Sequence, residues 1–572
     1  SGIITDKGGR TCFSGETKIL TDKGFLEFRE LFQRWNQGER FLVYSYDYDK
    51  KQPVWKKVLG VQSNKLSAVR VNVSQTGRMK DNFLDVTLDH KFYTYQDRKL
   101  IKKPLKEILN NQEGVCLTDK LPALTTNSID SKLAYLLGAW AADGNIYFNK
   151  GINGLRRGQL VFTQKQTLEK QEFISEINRS FAQIFNKTLT FRKKNSVSQL
   201  NGRTIVGVVT DFRASSLSIA FKMSQYLQNL PLLALSFSEV AAKHFLAGVI
   251  DGDGSFYNNR IQIYVSKKNV FQAIIISCLR LGIVPQVTTN RNIYNVQIVE
   301  KIQEILTITK RVKGPTKEKT LGTKLFFAKQ VLNDILDKVN YQGKIRPYVK
   351  SNLLIDSRKI KNNILPLVDI NLKKELEQML RSNLRMQRIS FNKNLGKIEV
   401  FNLEVEANKD LDRNYVVFTK RLTPLLVSNS HAAIVSRELG VNCIVGAGNA
   451  TSVLKTGQNI TMDCSSGTIG NVYEGRLNFE VKRHELKKLK NPKVKISINI
   501  GSPDEAFRYH NLPVKGVGLG RLEFIIASQI QIHPNALIDY EKIKKGDLKF
   551  NNQTKRDLEK LIKKIEELEE KI

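Results

Sequence analysis

The sequence feature that most constrains the fold is an internal repeat. The segment LLGAWAADGNIYF begins at Leu136 and LAGVIDGDGSFYN begins at Leu246, and the two D-G pairs that they share lie 110 residues apart. The apolar positions recur with helical spacing, which predicts helices over Lys132–Ala142 and Glu239–Gly252. Each copy continues into a strand-like run and then into a second helical run. Two copies of one supersecondary unit predict a domain with pseudo-two-fold symmetry.

The sequence on either side of the repeat has a different pattern. Between Cys12 and Asp119, alternating runs such as FLVYSYDYD and DVTLDHKFYTY predict strands. Short strands are predicted again over Lys397–Thr419, so the repeat is expected to be inserted into an all-β domain. Beyond residue 430, HAAIVSREL predicts an amphipathic helix. KVKISINI and VKGVGLGRLEFI predict buried strands, and DLEKLIKKIEELEEKI predicts a charged helix with a solvated face.

Composition narrows the class of protein. A chain of 572 residues is too long for one ordinary core, and its formal net charge of +36 favours a polyanionic partner such as nucleic acid. Five cysteines without a C-x-x-C pair argue against a disulfide framework or a zinc cluster and favour a reducing compartment. No signal peptide or 18-residue apolar run occurs, so a cytoplasmic location is expected. Because the first residue is Ser1, the chain is expected to begin inside a longer parent.

Four sequence elements occur in order: CFSGETKILTDKG at Cys12, the T-x-x-H element of Thr87 and His90, NYVVFT at residue 414, and VSNS ending at Ser430. Together they resemble an intein of the Hint (hedgehog/intein) family. The resemblance implies that the Cys12 thiol attacks the preceding carbonyl, while Thr87 binds the scissile amide and His90 protonates its nitrogen. Ser430 would then take the acyl group, and cyclisation of Asn429 would release the intein.

This sequence departs from the intein pattern at two positions. Most inteins carry His immediately before the terminal Asn, where this chain has Ser428, and many carry His where this chain has Arg413. Splicing is nevertheless expected, at a rate that depends on what replaces the missing imidazoles.

The repeated segments resemble the LAGLIDADG motif of homing endonucleases. Small residues, Gly138 and Gly248 among them, would let the two helices pack closely, which places Asp143 and Asp253 at adjoining helix ends. The resemblance implies that these carboxylates hold Mg²⁺ for cleavage of double-stranded DNA. The basic residue usual before the second motif is absent, since Pro231 follows Gln-Asn-Leu and Lys222 is out of place.

Basic residues on the sheets of this domain are expected to contact DNA phosphates and bases. The candidates are Arg156, Arg157, Lys165, Arg192, Lys193, Lys194, Arg260, Lys267, Lys268 and Arg291.

Removal of residues 12–429 joins GGRT to SHAAIVSRELG, which resembles the phosphohistidine motif of the phosphoenolpyruvate synthase family. Matches continue in DCSSGTIGNVYEG and GVGLGRLEFI. The resemblance implies ATP and pyruvate as substrates, Mg²⁺ as cofactor, His431 as the phosphoryl carrier and Arg521 as a ligand of substrate phosphate. His431, beside Arg10 and Thr11 at a helix start, would favour a phosphate's negative charge.

The predicted architecture is multidomain. An all-β Hint splicing domain (12–125 and, after a linker, 346–429) carries an inserted α+β LAGLIDADG endonuclease domain (126–345). It interrupts a β/α phosphohistidine swivelling domain (1–11 and 430–488), which is followed by the start of a TIM-type barrel (489–572). Two alternatives stay open: a DNA-binding intein that has lost splicing and cleavage, and a hedgehog-like protein that cleaves without ligating. The Asn429-Ser430 pair and the continuous flanking motif argue against the second.

Overall fold

A computed structural model describes residues 2–5, 12–74, 81–124, 129–151, 154–200, 203–314, 324–407, 409–429, 442–445, 447, 450–465, 470–479, 494–500, 512 and 514–520. The predicted sites Ser430, His431 and Arg521, the predicted helix after residue 430 and the predicted charged helix at the end of the chain lie outside these ranges. The chain divides into two compact units, Ser1–Gly475 and Arg476–Ile572, and each is described by itself. Within the described ranges, no helix is long and apolar enough to cross a membrane.

The first part of the chain is mostly short strands, as its alternating pattern predicts. The elements are β1 (Gly2–Thr5), β2 (Phe13–Ser14), β3 (Lys18–Thr21), β4 (Gly24–Glu27), α1 (Phe28–Asn36), β5 (Leu42–Asp47), β6 (Gln52–Ser74), β7 (Phe83–Val86), β8 (Lys91–Gln96), β9 (Lys99–Pro104), α2 (Leu105–Asn110) and β10 (Gly114–Thr118). All five residues of β10 and the middle four of β8 are buried, which marks them as interior strands.

The repeat folds into two similar halves. The elements are α3 (Ser131–Asp143), β11 (Gly144–Gly151), β12 (Gly154–Gln164), a 3₁₀ turn (Leu168–Lys170), α4 (Gln171–Phe185), β13 (Thr190–Leu200), β14 (Arg203–Ser215), α5 (Leu217–Gln228), α6 (Leu230–Leu235), α7 (Glu239–Asp253), β15 (Gly254–Tyr257), β16 (Arg260–Val265), α8 (Lys268–Arg280), β17 (Gln286–Asn290), β18 (Ile293–Ile298) and α9 (Ile302–Leu306). Each half has a four-stranded antiparallel sheet, and the strand orders β11-β12-β14-β13 and β15-β16-β18-β17 correspond. The predicted pseudo-two-fold relation is therefore present in the topology.

Glycines form the seam between α3 and α7. A Cβ atom on Gly138 would lie 2.2 Å from the carbonyl oxygen of Phe245, and one on Gly248 would lie 2.1 Å from that of Tyr135. Both neighbours are backbone atoms that a rotamer change cannot move. The helices therefore contact each other backbone to backbone, as the small residues of the two motifs predict.

Residues 325–381 form a further α/β segment, although the sequence pattern indicated a linker from residue 346. Its elements are β19 (Leu325–Phe327), α10 (Ala328–Leu332), α11 (Ile335–Lys338), α12 (Arg346–Lys350), β20 (Leu354–Asp356), α13 (Ser357–Asn363) and α14 (Ile370–Arg381). Asp369 caps α14 by accepting hydrogen bonds from the backbone N–H groups of Asn371 and Leu372.

The chain then returns to the first sheet through β21 (Leu384–Val405), a 3₁₀ turn (Asp410–Asp412), β22 (Asn414–Phe418) and β23 (Pro424–Ser428). The prediction of a short strand from Lys397 is wrong, because Lys397 lies inside the 22-residue strand β21, which pairs antiparallel with β6. Register shifts at residues 391–393 and 394–396 interrupt the alternation, so the exposed stretch around Lys393 resembles a turn in sequence.

These strands complete a 12-stranded sheet in the order β10-β21-β2-β7-β6-β5-β3-β22-β23-β8-β9, with β4 paired to β3. Strand β2, which starts just after Cys12, and strand β23, which ends just before Asn429, therefore belong to one sheet.

The all-β domain and the repeat domain share a hydrophobic core. One cluster of buried side chains contains Tyr44 and Tyr93 from the first sheet together with Leu136 and Ile250 from the helical seam. A buried ion cluster reinforces this contact. Arg385 of β21 lies 3.0 Å from the carboxylate of Asp119 and 2.5 Å from that of Glu300, which follows β18.

Strand β1 pairs in parallel with β24 (Asn442–Val445). A segment that precedes Cys12 and a segment that follows Asn429 therefore meet in one sheet. The helix α15 (Ala450–Val453) and the hairpin β25 (Ile460–Asp463) and β26 (Asn471–Glu474) complete the described part of this unit.

In the second unit, β27 (Ile498–Ile500) and β28 (Val517–Gly520) pair in parallel. The prediction that the second of these strands is buried is wrong, because Val517 and Leu519 remain 55% and 52% exposed. Within the described residues β27 is its one partner strand, and an apolar sequence alone does not cover a sheet face.

Candidate functional sites

The backbone of Cys12 lies in a network of hydrogen bonds with Thr87 and His90. The backbone N–H of Cys12 donates to the Thr87 hydroxyl at 3.1 Å, and the Thr87 N–H donates to the Cys12 carbonyl at 3.0 Å. The N–H of His90 donates in turn to the Thr87 carbonyl at 3.1 Å. The Thr87 side chain therefore contacts the nitrogen that would leave if the preceding carbonyl were attacked.

The imidazole of His90 lies next to this network and is fully buried. Its ring centroid is 4.2 Å from that of Phe13 and 5.6 Å from that of Phe92. Burial of Cys12 raises the pKa of its thiol to about 12. The sulfur is therefore protonated at neutral pH and must lose a proton before or during an attack.

Asn429 directly follows β23 of the same sheet, in which Val427 pairs with Phe92 of β8, two residues beyond His90. The Asn429 side chain is buried, and neither its Oδ1 nor its Nδ2 atom has a hydrogen-bond partner among the described residues. Its backbone N–H donates to the Arg413 carbonyl at 3.1 Å. A buried carboxamide without partners costs free energy in the folded state, which is typical of a functional position.

The hydroxyl of Ser428 makes a contact that the sequence pattern did not indicate. It donates to the carbonyl oxygen of Asn429 at 3.1 Å and lies 3.4 Å from that of Arg413. The first of these oxygens belongs to the peptide bond between residues 429 and 430.

The second site lies where α3 and α7 end. Helix α3 ends at Asp143 and helix α7 ends at Asp253, one residue beyond each end that the periodicity predicts. A Cβ atom on Gly252 would lie 3.0 Å from Oδ2 of Asp143, so that carboxylate lies against the end of the other helix. Burial and the negative charge of Asp253 raise the pKa of Asp143 to about 6, and burial raises the pKa of Asp253.

Three polar side chains surround this acidic pair. The Gln164 amide donates to the Asp143 carboxylate and accepts from the Lys170 ammonium group at 2.7 Å. The Lys267 ammonium group donates to the carbonyl of Ala141 at 3.4 Å, and its charge lowers the pKa of Asp253. Sequence reasoning missed Gln164 and Lys170 and assigned Lys267 to DNA alone. The signal that could have identified these polar residues is their position at the end of the strand-like run of each repeat or shortly after it.

A third acidic residue of the motif, Asp251, has a structural role. Its carboxylate accepts hydrogen bonds from the Tyr135 hydroxyl at 2.6 Å and from the N–H groups of Lys310 and Arg311 at 2.6 and 2.8 Å. The Arg311 guanidinium donates to the carbonyls of Ile250 and Gly254, which offsets the unfavourable position of acids at this helix end.

The predicted DNA-contacting residues are distributed over both sheets. Arg192 and Lys193 are exposed on β13, Arg157 is exposed on β12, and Lys267 is exposed after β16. Arg260 is half-buried and donates to the Gln297 side chain at 2.9 Å, so it is held in the sheet. The side chain of Arg156 lies outside the described residues.

The acidic pair fits a magnesium ion with few protein ligands. Among the residues that the structure describes, no group of three or more His, Cys, Asp or Glu side chains could hold a metal. Burial, however, raises the pKa of both Asp143 and Asp253, and the charge of Asp253 raises that of Asp143 further; a divalent cation would offset this cost of ionisation. Mg²⁺ is commonly bound by one or two carboxylates, with water and substrate phosphates as its other ligands.

Comparison with known proteins gives matches in each part of the chain. Residues 428–467 match the family "PEP-utilising enzyme, mobile domain", and residues 241–310 match the family "LAGLIDADG-like domain". A probable phosphoenolpyruvate synthase of Methanocaldococcus jannaschii is 30% identical over 567 residues, which are 95% of this chain. The chain spans 45% of the length of that relative.

Two similar solved structures come from other classes of protein. One belongs to a study of mesophilic variants of the homing endonuclease I-DmoI. It is 19% identical, and the match covers 31% of this chain and 92% of that chain with a TM-score of 0.23. The other is an Ssp DnaB mini-intein variant, 21% identical over 20% of this chain and 66% of that chain, with a TM-score of 0.16. Taken together, the matches to the flanking and central sequence support phosphoenolpyruvate synthase sequence that carries an inserted LAGLIDADG element.

Proposed function

We propose that residues 12–429 are a self-splicing intein that excises itself from phosphoenolpyruvate synthase sequence. The observation that carries the proposal is the hydrogen bond from the Cys12 N–H to Thr87 beside the buried His90 imidazole. A hydroxyl and an imidazole at a scissile amide are what an acyl shift requires. The location of the buried Asn429 carboxamide directly after a strand of the same sheet supports the second half of the reaction.

In the first step, the Cys12 sulfur attacks the carbonyl carbon of Thr11. The carbon–nitrogen bond breaks, a thioester forms, and the thiol proton passes to the departing amine. His90 supplies the proton relay to the nitrogen, and the Thr87 hydroxyl holds that nitrogen in position by accepting a hydrogen bond from its N–H. Because burial raises the pKa of the Cys12 thiol, a relay through a base is more effective than direct ionisation.

In the second half, the Ser430 hydroxyl attacks the thioester, and the Cys12 thiol leaves. The Asn429 side-chain nitrogen then attacks its own backbone carbonyl carbon, losing a proton, while the bond to the Ser430 nitrogen breaks and that nitrogen gains one. A shift of the acyl group from the Ser430 oxygen to its nitrogen joins Thr11 to Ser430 by an amide bond.

Expression of the chain tests the splicing proposal. Joining residues 1–11 to residues 430–572 gives a product of 154 residues, which we expect to find together with free residues 12–429. The variant Cys12→Ala should give no ligated product, and Asn429→Ala should stop at the branched or thioester stage. Wild-type chain that remains intact after long incubation would contradict the proposal and favour a DNA-binding intein that has lost both activities.

We further propose that the inserted LAGLIDADG domain is a DNA endonuclease. The two motif carboxylates, the basic side chains around them and the paired sheets support double-stranded DNA as substrate. When bound, Mg²⁺ would stabilise negative charge on phosphate oxygens. Asp143 and Asp253 would hold it, Gln164 would orient the Asp143 carboxylate, and Lys170 and Lys267 would place positive charge beside the reacting phosphate.

Cleavage of a plasmid that carries the uninterrupted host site tests the endonuclease proposal. Wild-type protein with Mg²⁺ should make a double-strand break, and Asp143→Asn should not. A matched control is Asp369→Asn, which changes an exposed helix-capping carboxylate far from the seam in sequence. Absence of a break with the wild type would mean that the acidic pair no longer acts.

We propose that the flanking sequence, once ligated, acts as part of a phosphoenolpyruvate synthase. His431 would carry the phosphoryl group from ATP, Mg²⁺ would be required, and Arg521 would bind the phosphate of the pyruvate-derived product. The pairing of β1 with β24 supports one domain formed from both flanks. The full-length parent protein should become labelled at His431 with phosphoryl-labelled ATP, and a splice-blocked parent should not.

A further inference from the structure

The cleavable bond after Asn429 is held by Ser428, the residue that takes the place of the histidine found there in most inteins. Ser428 is the last residue of β23, whose five residues are all buried. The strand fixes its backbone, because Ser428 lies opposite Asn414 in the ladder with β22. The Ser428 side chain therefore points to the junction from a rigid element.

The hydroxyl of Ser428 has two acceptors in the described part of the chain. The nearer is the Asn429 carbonyl oxygen at 3.1 Å, and the other is the Arg413 carbonyl oxygen at 3.4 Å. The Arg413 carbonyl already accepts the Asn429 N–H at 3.1 Å. The Asn429 carbonyl is therefore the acceptor with the shorter and less contested contact.

We infer that Ser428 is a catalytic residue of asparagine cyclisation, acting as a hydrogen-bond donor to the oxyanion that develops on the Asn429 carbonyl. The inference rests on the proposed splicing function. When the Asn429 nitrogen attacks the carbonyl carbon, the C=O bond opens and negative charge accumulates on the oxygen that Ser428 contacts. A donor within hydrogen-bond distance of that oxygen stabilises the charge in a site that excludes water.

The state of the Asn429 side chain is consistent with this role. Its carboxamide has no hydrogen bond among the described residues, so no partner has to be released before its nitrogen turns towards the carbonyl. Ser428 keeps its own proton throughout. The proton lost by the attacking nitrogen and the proton gained by the Ser430 nitrogen balance without it.

The test isolates cyclisation from the earlier steps. In a full-length Cys12→Ala background, cleavage after Asn429 is followed by gel, and the aminosuccinimide end is identified by mass spectrometry. Adding Ser428→Ala should slow its formation about 100-fold, the loss typical of one oxyanion donor. Ser428→Thr, which keeps the hydroxyl, should stay within about threefold of the parent.

Two further readouts separate catalysis from a structural role. In an Asn429→Ala background, thiol-induced cleavage before Cys12 should be unchanged by Ser428→Ala. A serine donor should also leave the cyclisation rate without an inflection between about pH 6 and 8, whereas Ser428→His should introduce one near the usual imidazole pKa.

The outcomes distinguish the two proposals. If the parent forms aminosuccinimide and Ser428→Ala forms it at the same rate, the assignment of Ser428 is wrong and splicing stands. Equal slowing at both junctions would also overturn the assignment, because it would indicate a damaged fold. A parent that never forms aminosuccinimide would overturn the splicing proposal itself.

Discussion

The glycine seam allows one prediction to be worked out in detail. In Gly248→Ala the new methyl carbon would lie 2.1 Å from the Tyr135 carbonyl oxygen and 2.8 Å from the Ala139 nitrogen. Ordinary contact between such atoms is about 3.5 Å, so α3 would have to move by about 1 Å. Both obstructing atoms are main-chain atoms of a buried helix, and no side-chain rotation can relieve the overlap.

The expected cost follows from this displacement. Overpacking of a well-packed core typically destabilises by about 1–3 kcal/mol. In an unhindered helix, replacement of Gly by Ala stabilises by roughly 1 kcal/mol, so the net destabilisation should be up to about 2 kcal/mol. Since α3 and α7 end at Asp143 and Asp253, the same shift should separate the two carboxylates. A misplacement of about 1 Å can lower a reaction rate about 100-fold.

The measurement uses a chain kept intact by Cys12→Ala and Asn429→Ala. Thermal unfolding and Mg²⁺-dependent DNA cleavage are compared for this parent, Gly248→Ala and the control Gly207→Ala. Gly207 lies in β14, where an added Cβ atom meets nothing within 4 Å. If Gly248→Ala unfolds at the temperature of the control, the two helices are not in backbone contact and the reasoning is refuted.

Four other outcomes are expected. Thr87→Ala should slow thiol-induced cleavage before Cys12 at least tenfold, because the Cys12 N–H loses the hydroxyl that accepts its hydrogen bond. An unchanged rate would show that Thr87 has no part in the mechanism. In the splice-blocked chain, Asp143→Asn should be more stable than the parent above pH 6 and equal to it below pH 4. The Asp143 carboxyl group keeps its proton up to about pH 6 in the folded state but only up to about pH 3.8 in the unfolded state. As the pH rises through this window, the unfolding free energy of the parent therefore falls by no more than about 3 kcal/mol. Mg²⁺ should raise the melting temperature of the parent and not that of Asp143→Asn. Arg385→Leu should cost about 3–5 kcal/mol, because the buried Glu300 loses its ion-pair partner and the buried Asp119 keeps only Lys324, at 3.7 Å. Arg381 is exposed and makes a single surface pair, so Arg381→Leu should change the unfolding free energy by less than about 1 kcal/mol.

The parts of the fold that the sequence predicted well are those with a strong local signal. The periodicity of the two motifs predicted α3 and α7 to within one residue at each end, because helix spacing and capping are local properties. The return of the chain to the first β domain after the repeat was predicted from the pattern of short strands, and the single sheet that contains β2 and β23 agrees with it. The length of β21 was missed because bulges break its alternation.

The parts that sequence could not predict depend on contacts between distant residues. Arg385 meets Asp119 across 266 positions and Glu300 across 85, and no periodic pattern marks such a set. The Ser428 contact was equally hidden, because a serine at a strand end is most often only a turn residue. Gln164 ends β12 and Lys170 follows that strand, and nothing in the local sequence distinguishes them from ordinary polar residues. Only the fold places Gln164 against Asp143 and Lys170 against Gln164.

The shared apolar interior has an evolutionary consequence. Because Tyr44 and Tyr93 pack in the same cluster as Leu136 and Ile250, deleting the nuclease would leave aromatic surface in contact with water. A change at Asp143 alone would leave this shared interior intact. Removal of the whole LAGLIDADG domain would first require polar residues in place of Tyr44 and Tyr93, so we expect relatives in which the domain persists after its acidic pair has been lost.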